Sequence, residues 1–342
     1  MKKINVAILG ASGYTGAELL RLLPLHPQVE IAALTAETQA GQKMADVFPH
    51  LAHMGFPDLV TIEQVDFSKI DLVFCCLPHG TTQAVLSKLP EHVRIVDLSA
   101  DFRLRDETSY AEWYGHAHQA SALQKEAVYG LTEHYRDQVK TARLVANPGC
   151  YPTSALLPLV PLLKAKAISE EGIIIDAKSG VTGAGRSVKR NLLFCEIDEG
   201  MSAYSVGHHR HMPEIEQEMS IAAGTAITIN FTPHLIPIRR GMISTIYVKL
   251  NKTLDDARKV LTDAYASEYF VHVLDKGVMP STHSVRGTNY CQMNVFKGRT
   301  DKDMIIVSAI DNLGKGASTQ AIQNMNVMFG FDETEVLRAT AI

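Results

Sequence analysis

The N-terminal segment constrains the fold of this chain more than any other part of the sequence. An apolar run at residues 4–10 leads into three closely spaced glycines, Gly10, Gly13 and Gly16, and then into a helix-like segment at 17–23. A buried strand, a tight turn and a helix in this order begin a βαβ unit. Glycines let such a turn approach a pyrophosphate, and the helix N-terminus offers N–H groups and a positive dipole end. The segment therefore predicts a dinucleotide-binding turn.

The details of this turn leave the dinucleotide undecided. Ser12 occupies the second glycine position of the usual G-x-G-x-x-G pattern, and three glycines alone also suit a plain strand-to-helix turn. NAD enzymes usually carry an acid after the second strand, where it binds the ribose hydroxyls. Glu37 is placed to be that acid, whereas Thr35, Thr38 and Lys43 are placed to hold a 2′-phosphate.

The first part of the chain continues as a series of buried strands. Continuous apolar runs follow at 31–34, 71–77 and 94–98, and a helical segment at 83–89 fits between two of them. Strands that are apolar on both faces are typical of parallel sheets covered by helices. The pattern therefore predicts a doubly wound α/β domain.

The pattern changes after about Asn147. One more buried run lies at 172–177, and later runs alternate between apolar and polar residues at 227–231, 243–250 and 290–296. Alternation predicts antiparallel strands with one covered and one wet face. The segment 319–329 resembles a closing helix that returns to the first domain. The sequence therefore predicts a second, α+β domain with a largely antiparallel sheet.

Composition limits the kinds of molecule that this chain is expected to bind. The formal net charge is −4 and charged residues make up 20% of the chain, so no basic field attracts nucleic acid or anionic lipid. No stretch is long and apolar enough to cross a bilayer, and the N-terminal segment lacks a signal-peptide pattern. We therefore expect a cytoplasmic protein that binds a small molecule. Five irregularly spaced cysteines favour reduced thiols over a disulfide framework.

Cys150 is the candidate nucleophile. It follows Asn147 in the segment NPGCYPT, and a helix-like segment begins shortly after it. A cysteine at a helix N-terminus is activated toward the thiolate form, and Asn147 is placed to orient a carbonyl group or to line an oxyanion hole. The alternative is a buried structural cysteine. That alternative describes Cys75 and Cys76, which lie in an apolar run, and it is favoured for Cys195 and Cys291.

A histidine-rich segment is the candidate acid-base group. Residues 207–216 hold three of the fourteen histidines. One interpretation is a general base for Cys150, and another is a metal site made by His209, His211 and Glu214. Structural zinc normally takes four defined ligands and no CxxC pair exists, so the sequence predicts no metal. A third interpretation is that some of these histidines cap a helix beginning near Pro213.

Two arginines follow predicted strand ends. Arg186 closes a glycine-rich loop at 179–186, and Arg103 ends the segment DLSADFR after the fourth strand. Glycine loops and arginines suit a carboxylate or a phosphate, and ligands of α/β sheets bind at the carboxyl edge. The alternative for each arginine is a surface ion pair of little energetic value. The position after a strand favours anion binding for both.

Taken in order, these segments resemble the N-acetyl-gamma-glutamyl-phosphate reductases of arginine biosynthesis, and the resemblance covers nearly the whole chain. The segments that carry it are GASGYTGAELLRLL, LPHG, DLSADFR, NPGCYPT, SGVTGAGR, HHRHMPEIEQ, HLIPIRRGM and DNLGKGASTQAIQNMN. The resemblance implies an aspartate-semialdehyde dehydrogenase-like fold: a Rossmann-like NADP-binding domain at 1–147, completed by the C-terminal helix within 314–342, and a catalytic and dimerisation domain at 148–313.

The resemblance also implies the roles of individual residues. Cys150 is the nucleophile that forms a thioester and His209 is the catalytic histidine, with His211 as second choice. The substrate-binding residues are then Arg103, Asn147, Arg186 and His211. The cofactor-binding residues are Gly10, Ser12, Gly13, Tyr14, Thr15, Gly16, Pro78, Gly180, Asn312 and Gly314.

The implied reaction is NADPH-dependent reduction of N-acetyl-gamma-glutamyl phosphate to the 5-semialdehyde with release of phosphate, by a cytoplasmic homo-oligomer, a dimer or a tetramer. The nearest rival is a sister reductase that acts on aspartyl phosphate or an aminoadipyl phosphate. A second rival is a cysteine acyltransferase or hydrolase without a hydride step, and a third is a non-enzymatic dinucleotide sensor. The glycine turn argues against the second, and Cys150 beside a histidine cluster argues against the third.

Overall fold

The structure, a computed structural model, describes residues 3–342. The chain divides into two compact units. Unit 1 comprises the chain up to Pro148 together with Ala317–Arg338, and unit 2 comprises Gly149–Gly316 together with Ala339–Ile342. In unit 2 the backbone N–H of Ile342 donates to the carbonyl of Arg286 (3.1 Å). Across residues 3–342 no helix has the length and the apolar character needed to cross a membrane.

The strands and α-helices are numbered along the chain. The strands are β1 (Ile4–Leu9), β2 (Val29–Thr35), β3 (Leu59–Val60), β4 (Leu72–Cys75), β5 (Arg94–Asp97), β6 (Ala127–Tyr129), β7 (Leu144–Ala146), β8 (Ile174–Gly180), β9 (Ser202–Ala203), β10 (Asn230–Ile236), β11 (Met242–Lys249), β12 (Val271–Val273), β13 (Cys291–Lys297) and β14 (Asp303–Ile310). The helices are α1 (Tyr14–Leu22), α2 (Met44–Val47), α3 (Thr82–Leu86), α4 (Glu107–Tyr114), α5 (Ser121–Gln124), α6 (Thr132–Thr141), α7 (Cys150–Lys164), α8 (Phe194–Ile197), α9 (Met212–Ala223), α10 (Leu254–Ala264) and α11 (Thr319–Phe329).

Unit 1 is built on a seven-stranded sheet in the order β3-β2-β1-β4-β5-β7-β6. All of its strand pairs are parallel. Parallel sheets are covered by helices on both faces, so their strands are apolar throughout. Strand β4 shows this pattern, because its four residues, LVFC, are all buried. The predicted doubly wound parallel sheet is confirmed.

Parallel pairing places the ends of these strands at one edge of the sheet. The glycine turn follows β1, the LPHG segment follows β4, the DLSADFR segment starts at the last residue of β5, and Asn147 follows β7. In open α/β sheets ligands bind at this carboxyl edge. Unit 1 therefore brings four of the sequence segments singled out above to one side of one sheet.

Unit 2 is built on a mixed seven-stranded sheet in the order β12-β13-β14-β11-β8-β10-β9. Four of its strand pairs are antiparallel, among them the long β11–β14 pair, so the predicted α+β unit with a largely antiparallel sheet is confirmed. In strand β11 buried residues alternate with partly or fully exposed ones, as they do in a strand with one covered face.

One strand of this sheet differs from the prediction. The run at 227–231 was expected to pair antiparallel, but β10 pairs with β8 in parallel, with Phe231 beside Ile175. Alternation of apolar and polar residues indicates that one face of a strand is covered. It does not indicate whether the neighbouring strand runs parallel or antiparallel. Here a long excursion that includes α9 separates the two strands, which allows a parallel crossover. Strand β14, which lies between β13 and β11 inside the sheet, has no counterpart among the predicted strands.

Helix α7 is the core helix of unit 2. All its residues from Tyr151 to Leu163 are buried, and it packs against α9, α10 and the strands β11 and β14. A helix that is apolar on all sides lies inside a protein rather than on its surface. Its burial fixes the position of its first residue, Cys150, which is half-buried.

Candidate active site

The glycine turn of unit 1 has the shape of a phosphate cradle. Helix α1 begins at Tyr14 with Gly13 as its N-cap, and neither a capping side chain nor an acidic residue covers its first turn. The N–H groups and the positive dipole end of such a terminus favour an anion. This uncapped terminus after β1 fits the pyrophosphate of a dinucleotide, and Ser12, Tyr14 and Thr15 lie in the same turn.

Two glycines of this turn are required by close packing. Gly10 has a φ of +81°, and a Cβ there would lie 2.8 Å from the carbonyl oxygen of Cys76. A Cβ on Gly16 would lie 2.5 Å from the carbonyl oxygen of Ala11. Real Cβ atoms do not approach backbone this closely, so neither position tolerates a side chain without movement of the turn. The third glycine of a dinucleotide turn serves this close helix packing.

The end of β2 removes one of the candidate 2′-phosphate ligands. Thr35 is buried, and its hydroxyl accepts a hydrogen bond from the N–H of Gly10 (3.2 Å). The interpretation of Thr35 as a phosphate ligand is therefore wrong, because its hydroxyl supports the glycine turn from below. Glu37, Thr38 and Lys43 are exposed beyond this strand.

The remaining cofactor candidates fall into two places. Pro78 lies in unit 1 after β4 and accepts through its carbonyl from Thr81. In unit 2 Gly180 donates its N–H to the carbonyl of Gly241 (2.9 Å), and the side-chain oxygen of Asn312 accepts from the Gly241 N–H (2.8 Å). Unit 2 thus brings Gly180 and Asn312 together around Gly241, while Gly314 lies in the turn that follows.

Cys150 is the first residue of α7, and Gly149 is the N-cap. The carboxylate of Glu214 accepts a hydrogen bond from the Gly149 N–H (2.8 Å), which holds the cap in place. The hydroxyl of Thr153 donates to the Gly149 carbonyl (3.0 Å). A cysteine in the first turn of a helix meets the positive end of the dipole, which favours the nucleophilic thiolate.

The other cysteines lack such a setting. Burial raises the pKa of the Cys75 thiol well above its usual range, and burial raises that of Cys76 to about 12. Cys291 is buried in β13, whereas Cys195 is exposed. Among the five thiols, the first turn of a long helix therefore distinguishes Cys150.

Aromatic rings surround His209. The ring centroid of His209 lies 5.6 Å from that of Tyr151, 5.4 Å from that of Tyr204 and 4.7 Å from that of His211. Tyr151 follows Cys150 in the chain, and the negative charge of the Cys150 thiolate helps to raise the pKa of both tyrosines, after burial as the main cause. These tyrosines therefore link the histidine segment to the nucleophile.

The hydrogen bonds of His209 define its tautomer. Its Nδ1 accepts the backbone N–H of His211 (3.0 Å), so the neutral ring carries its proton on Nε2. Burial, aided by the positive charge of Arg210, lowers the pKa of His209 to about 4. His209 is therefore a neutral ring at pH 7, with an Nε2–H to donate.

The structure gives Arg103 and Asn147 contacts within unit 1. Arg103 is buried, and its guanidinium donates to the carbonyls of Asn147 (2.8 Å) and Leu98 (3.0 Å). The side-chain amide of Asn147 donates to the carbonyl of Ala317 (3.1 Å) and accepts from Asn324 (3.1 Å). Both side chains thus brace the carboxyl edge of the sheet. Arg186 is exposed in the loop after β8 of unit 2.

Two carboxylates of this site bind backbone N–H groups, which the sequence did not predict. Glu214 was considered only as a metal ligand, yet it holds the cap of the nucleophile helix; no cluster of three or more His, Cys, Asp or Glu side chains that could hold a metal ion occurs among residues 3–342. Asp311 is buried and accepts backbone N–H groups from Leu313 (2.8 Å) and Gly314 (2.9 Å). A signal for Asp311 existed: an acid stands immediately before the Asn312–Gly314 segment.

Comparisons with known proteins agree with this geometry. The family described as semialdehyde dehydrogenase, NAD binding domain, matches residues 5–142, and the family described as semialdehyde dehydrogenase, dimerisation domain, matches residues 150–312. The fold is similar to that of aspartate semialdehyde dehydrogenase II from Vibrio cholerae (TM-score 0.72, 16% identity, 96% of this chain and 99% of that chain). Fold and site therefore define a protein of the semialdehyde dehydrogenase class.

Closer relatives identify the family within this class. The chain is 59% identical to the N-acetyl-gamma-glutamyl-phosphate reductase of Afipia carboxidovorans, with 97% of each chain covered. It is 57% identical to the probable chloroplastic enzyme of that name from Arabidopsis thaliana, over 97% of this chain and 84% of the relative. It is 57% identical to the Rhodospirillum rubrum enzyme over 97% of each chain. The chain belongs to the N-acetyl-gamma-glutamyl-phosphate reductase family.

The packing of Gly16 generates the first prediction. We expect Gly16→Ala to weaken NADP binding about tenfold, which corresponds to about 1.4 kcal/mol, because the new methyl group displaces α1 from the glycine turn. Titration calorimetry with NADP measures the change. Gly200→Ala is the control, since a Cβ there meets nothing closer than 3.8 Å. Equal affinity of the Gly16→Ala and Gly200→Ala variants would contradict the assignment of the turn.

The low pKa of His209 generates the second prediction. The usual pKa of an unfolded histidine is about 6.5. Between pH 6.5 and about pH 4, His209 is protonated in the unfolded chain and neutral in the folded protein. The free energy of unfolding therefore falls as the pH is lowered through this range. We expect His209→Asn to reduce this fall. Urea unfolding at pH 7 and pH 5 measures it, with His208→Asn, on the exposed neighbour, as control. If the free energy of unfolding has the same pH dependence in both variants, a group other than His209 binds the proton.

Proposed function

We propose that this protein catalyses the NADPH-dependent reduction of N-acetyl-gamma-glutamyl phosphate to N-acetylglutamate 5-semialdehyde, with release of phosphate, through a thioester on Cys150 in arginine biosynthesis. One observation supports the chemistry above all: Cys150 is the first residue of a buried helix, beside an aromatic cluster that holds a neutral histidine. The names of the relatives support the substrate. The uncapped helix terminus after β1 supports the cofactor.

The first step is acyl transfer to the cysteine. The Cys150 thiolate attacks the acyl carbon, the bond to the phosphate oxygen breaks, and phosphate leaves with one proton from the medium. The N–H groups in the first turn of α7 stabilise the thiolate before attack. Because the Nδ1 of His209 already accepts a hydrogen bond, its role in this step is donation from Nε2 to the developing oxyanion or to the leaving phosphate.

The second step reduces the thioester and regenerates the Cys150 thiolate. NADPH, when bound, supplies the hydride that reduces the thioester carbonyl. The resulting carbon bears hydrogen, oxyanion and sulfur, and collapse of the oxyanion releases the aldehyde and the Cys150 thiolate. His209 donates its Nε2–H to the oxyanion while it exists and withdraws as it collapses. Because its pKa is about 4 in the protein, the His209 ring is neutral at pH 7 when the substrate arrives.

The two arginines take different roles in this proposal. Arg186 is exposed on unit 2, the unit that carries the nucleophile, and is proposed to bind the carboxylate or the phosphate of the substrate. Arg103 donates to two backbone carbonyls, so its proposed role in substrate binding passes through the shape of the sheet edge. His211, whose N–H fixes His209, is proposed to orient that ring. The cytoplasmic location stays a prediction, and the plant relatives are named as chloroplastic.

The reverse reaction tests the proposal. With N-acetylglutamate 5-semialdehyde, phosphate and NADP, we expect phosphate-dependent formation of NADPH, followed by absorbance. In Cys150→Ser we expect a loss of several orders of magnitude with NADP binding retained, because a hydroxyl is a far weaker nucleophile at neutral pH. Cys195→Ser is the matched control. Normal turnover of Cys150→Ser would refute the thioester, and activity only with aspartate semialdehyde would assign the substrate of the sister enzymes.

We further propose that unit 2 pairs with a second copy of the chain. The family description names a dimerisation domain, and the segment between β8 and α9 exposes several large apolar side chains that a partner would cover: Val188, Leu193, Phe194, Met201 and Val206. Exposed apolar clusters mark protein interfaces.

Sedimentation tests this pairing. We expect Phe194→Asp to shift the protein toward monomer, because a carboxylate in a covered apolar contact leaves a buried, unpaired charge. Met279→Asp is the control, since Met279 is comparably exposed (68% against 73% for Phe194) but lies outside that segment. An unchanged sedimentation coefficient for Phe194→Asp would show that this segment is not the interface.

A further inference from the structure

The carboxylate of Asp311 organises the end of β14 in unit 2. Asp311 is fully buried, and it accepts from the Nε of Arg240 (2.9 Å) and from the backbone N–H groups of Gly287 (2.5 Å), Leu313 (2.8 Å) and Gly314 (2.9 Å). A buried carboxylate with one cationic partner and several N–H donors is fully satisfied, and removal of its charge leaves those donors without an acceptor.

These hydrogen bonds fold the chain back over the strand end. Beyond the carboxylate, the backbone carbonyl of Asp311 accepts the N–H of Gly316 (2.9 Å). A Cβ on Gly314 would lie 2.4 Å from the carbonyl oxygen of Thr288, so the turn is pressed against a neighbouring loop. Asp311 therefore holds the segment that follows it at Leu313, Gly314 and Gly316.

The last of these residues lies against the nucleophile. A Cβ on Gly316 would lie 2.7 Å from the Cβ of Cys150 and 3.2 Å from its Cα. The turn therefore contacts Cys150 with bare backbone, at a distance that admits no side chain. Gly316 also belongs to a π-helical turn, Gly314–Ser318, a geometry that occurs frequently at functional sites.

We propose that Asp311 is a positioning residue for the reaction: its carboxylate closes the 311–316 turn, and the turn, through the backbone of Gly316, fixes the place of Cys150 at the start of α7. The proposal rests on the proposed role of Cys150 as nucleophile. Asp311 acts through Gly314 and Gly316 and touches neither substrate nor thiol. Misplacement of a reacting atom by about 1 Å costs about a hundredfold in rate, so a turn that sets this position matters to catalysis.

Asp311→Asn is the informative variant because it is nearly isosteric. One oxygen atom of Asp311 serves Leu313 and Gly314, and the other serves Gly287, while Arg240 contacts both. An asparagine has a single acceptor oxygen, so in either orientation its NH2 group faces N–H donors. The turn must then open on one side.

The measurement follows the thiol directly, without substrate or cofactor. We expect Asp311→Asn to change the rate of Cys150 alkylation by iodoacetamide about tenfold or more, read by peptide mass spectrometry so that exposed Cys195 is counted separately. In the reductase assay we expect kcat to fall by a similar factor, since the turn acts on the nucleophile.

Asp303→Asn is the matched control. Asp303 begins the strand that Asp311 follows, and its carboxylate pairs with Lys249 (2.5 Å) at the opposite end of β14. Loss of that pair removes one carboxylate from the same element, so we expect unchanged alkylation and unchanged kcat. A merely structural role for Asp311 would lower the melting temperature and leave the alkylation rate of the folded protein as it was; that result overturns the proposal.

A second variant keeps the test decisive if Asp311→Asn fails to fold. Gly316→Ala adds only a methyl group, which must displace Cys150 by the contact given above, and we expect the same change in alkylation and in kcat. Alkylation and turnover equal to those of the unaltered protein would overturn the proposal. Absence of reductase activity in the unaltered protein would instead refute the proposed function, while the alkylation comparison would still report on the turn.

Discussion

Parallel pairing of the strands of unit 1 is the constraint on which the rest of that unit depends. Each parallel neighbour requires a crossover, and every crossover returns the chain so that the carboxyl ends share one edge. The glycine turn, the LPHG segment, the DLSADFR segment and Asn147 are far apart in sequence and are brought together by this rule alone. Arg103 then ties two of these segments by donating to the carbonyls of Leu98 and Asn147.

Much of this architecture is predictable because the burial of a strand determines which of its positions are apolar. Strand β4 is a continuous apolar run, β1 and β5 are buried over most of their lengths, and β11 alternates, so the burial of each strand shows in its pattern. The direction of β10 and the existence of β14 are not predictable in this way. Strand direction is set by the connection between neighbours, and a strand at the middle of a mixed sheet depends on partners that are distant in sequence.

The residues of the site likewise include some that the sequence singles out and some that it does not. The sequence singles out Cys150 and His209 because a nucleophile and an acid-base group demand rare residue types in unusual settings, and their catalytic roles stay predictions. The structure places Cys150 at the start of α7 and His209 beside Tyr151. Thr35 was wrong as a phosphate ligand because the sequence cannot tell an exposed hydroxyl from one that accepts the Gly10 N–H. Glu214 binds the backbone N–H of Gly149, and a carboxylate that binds backbone leaves no complementary residue in the sequence to reveal it. Asp311 also pairs with Arg240, but the two residues are distant in sequence, so nothing local indicates the pair.

Cys150 lies at a helix N-terminus, near the neutral rings of Tyr151, Tyr204 and His209. The Glu214 carboxylate takes the N–H of the cap residue Gly149, and Cys150 follows it at the positive dipole end of α7. Burial raises the pKa of Tyr204 to about 12 and lowers that of His209 to about 4, so both rings are neutral donors at pH 7. Fixed dipoles stabilise a charge that appears and disappears during turnover without the cost of separating an ion pair. A cysteine that must be an anion, then a neutral thioester, then an anion again is served best by such an environment.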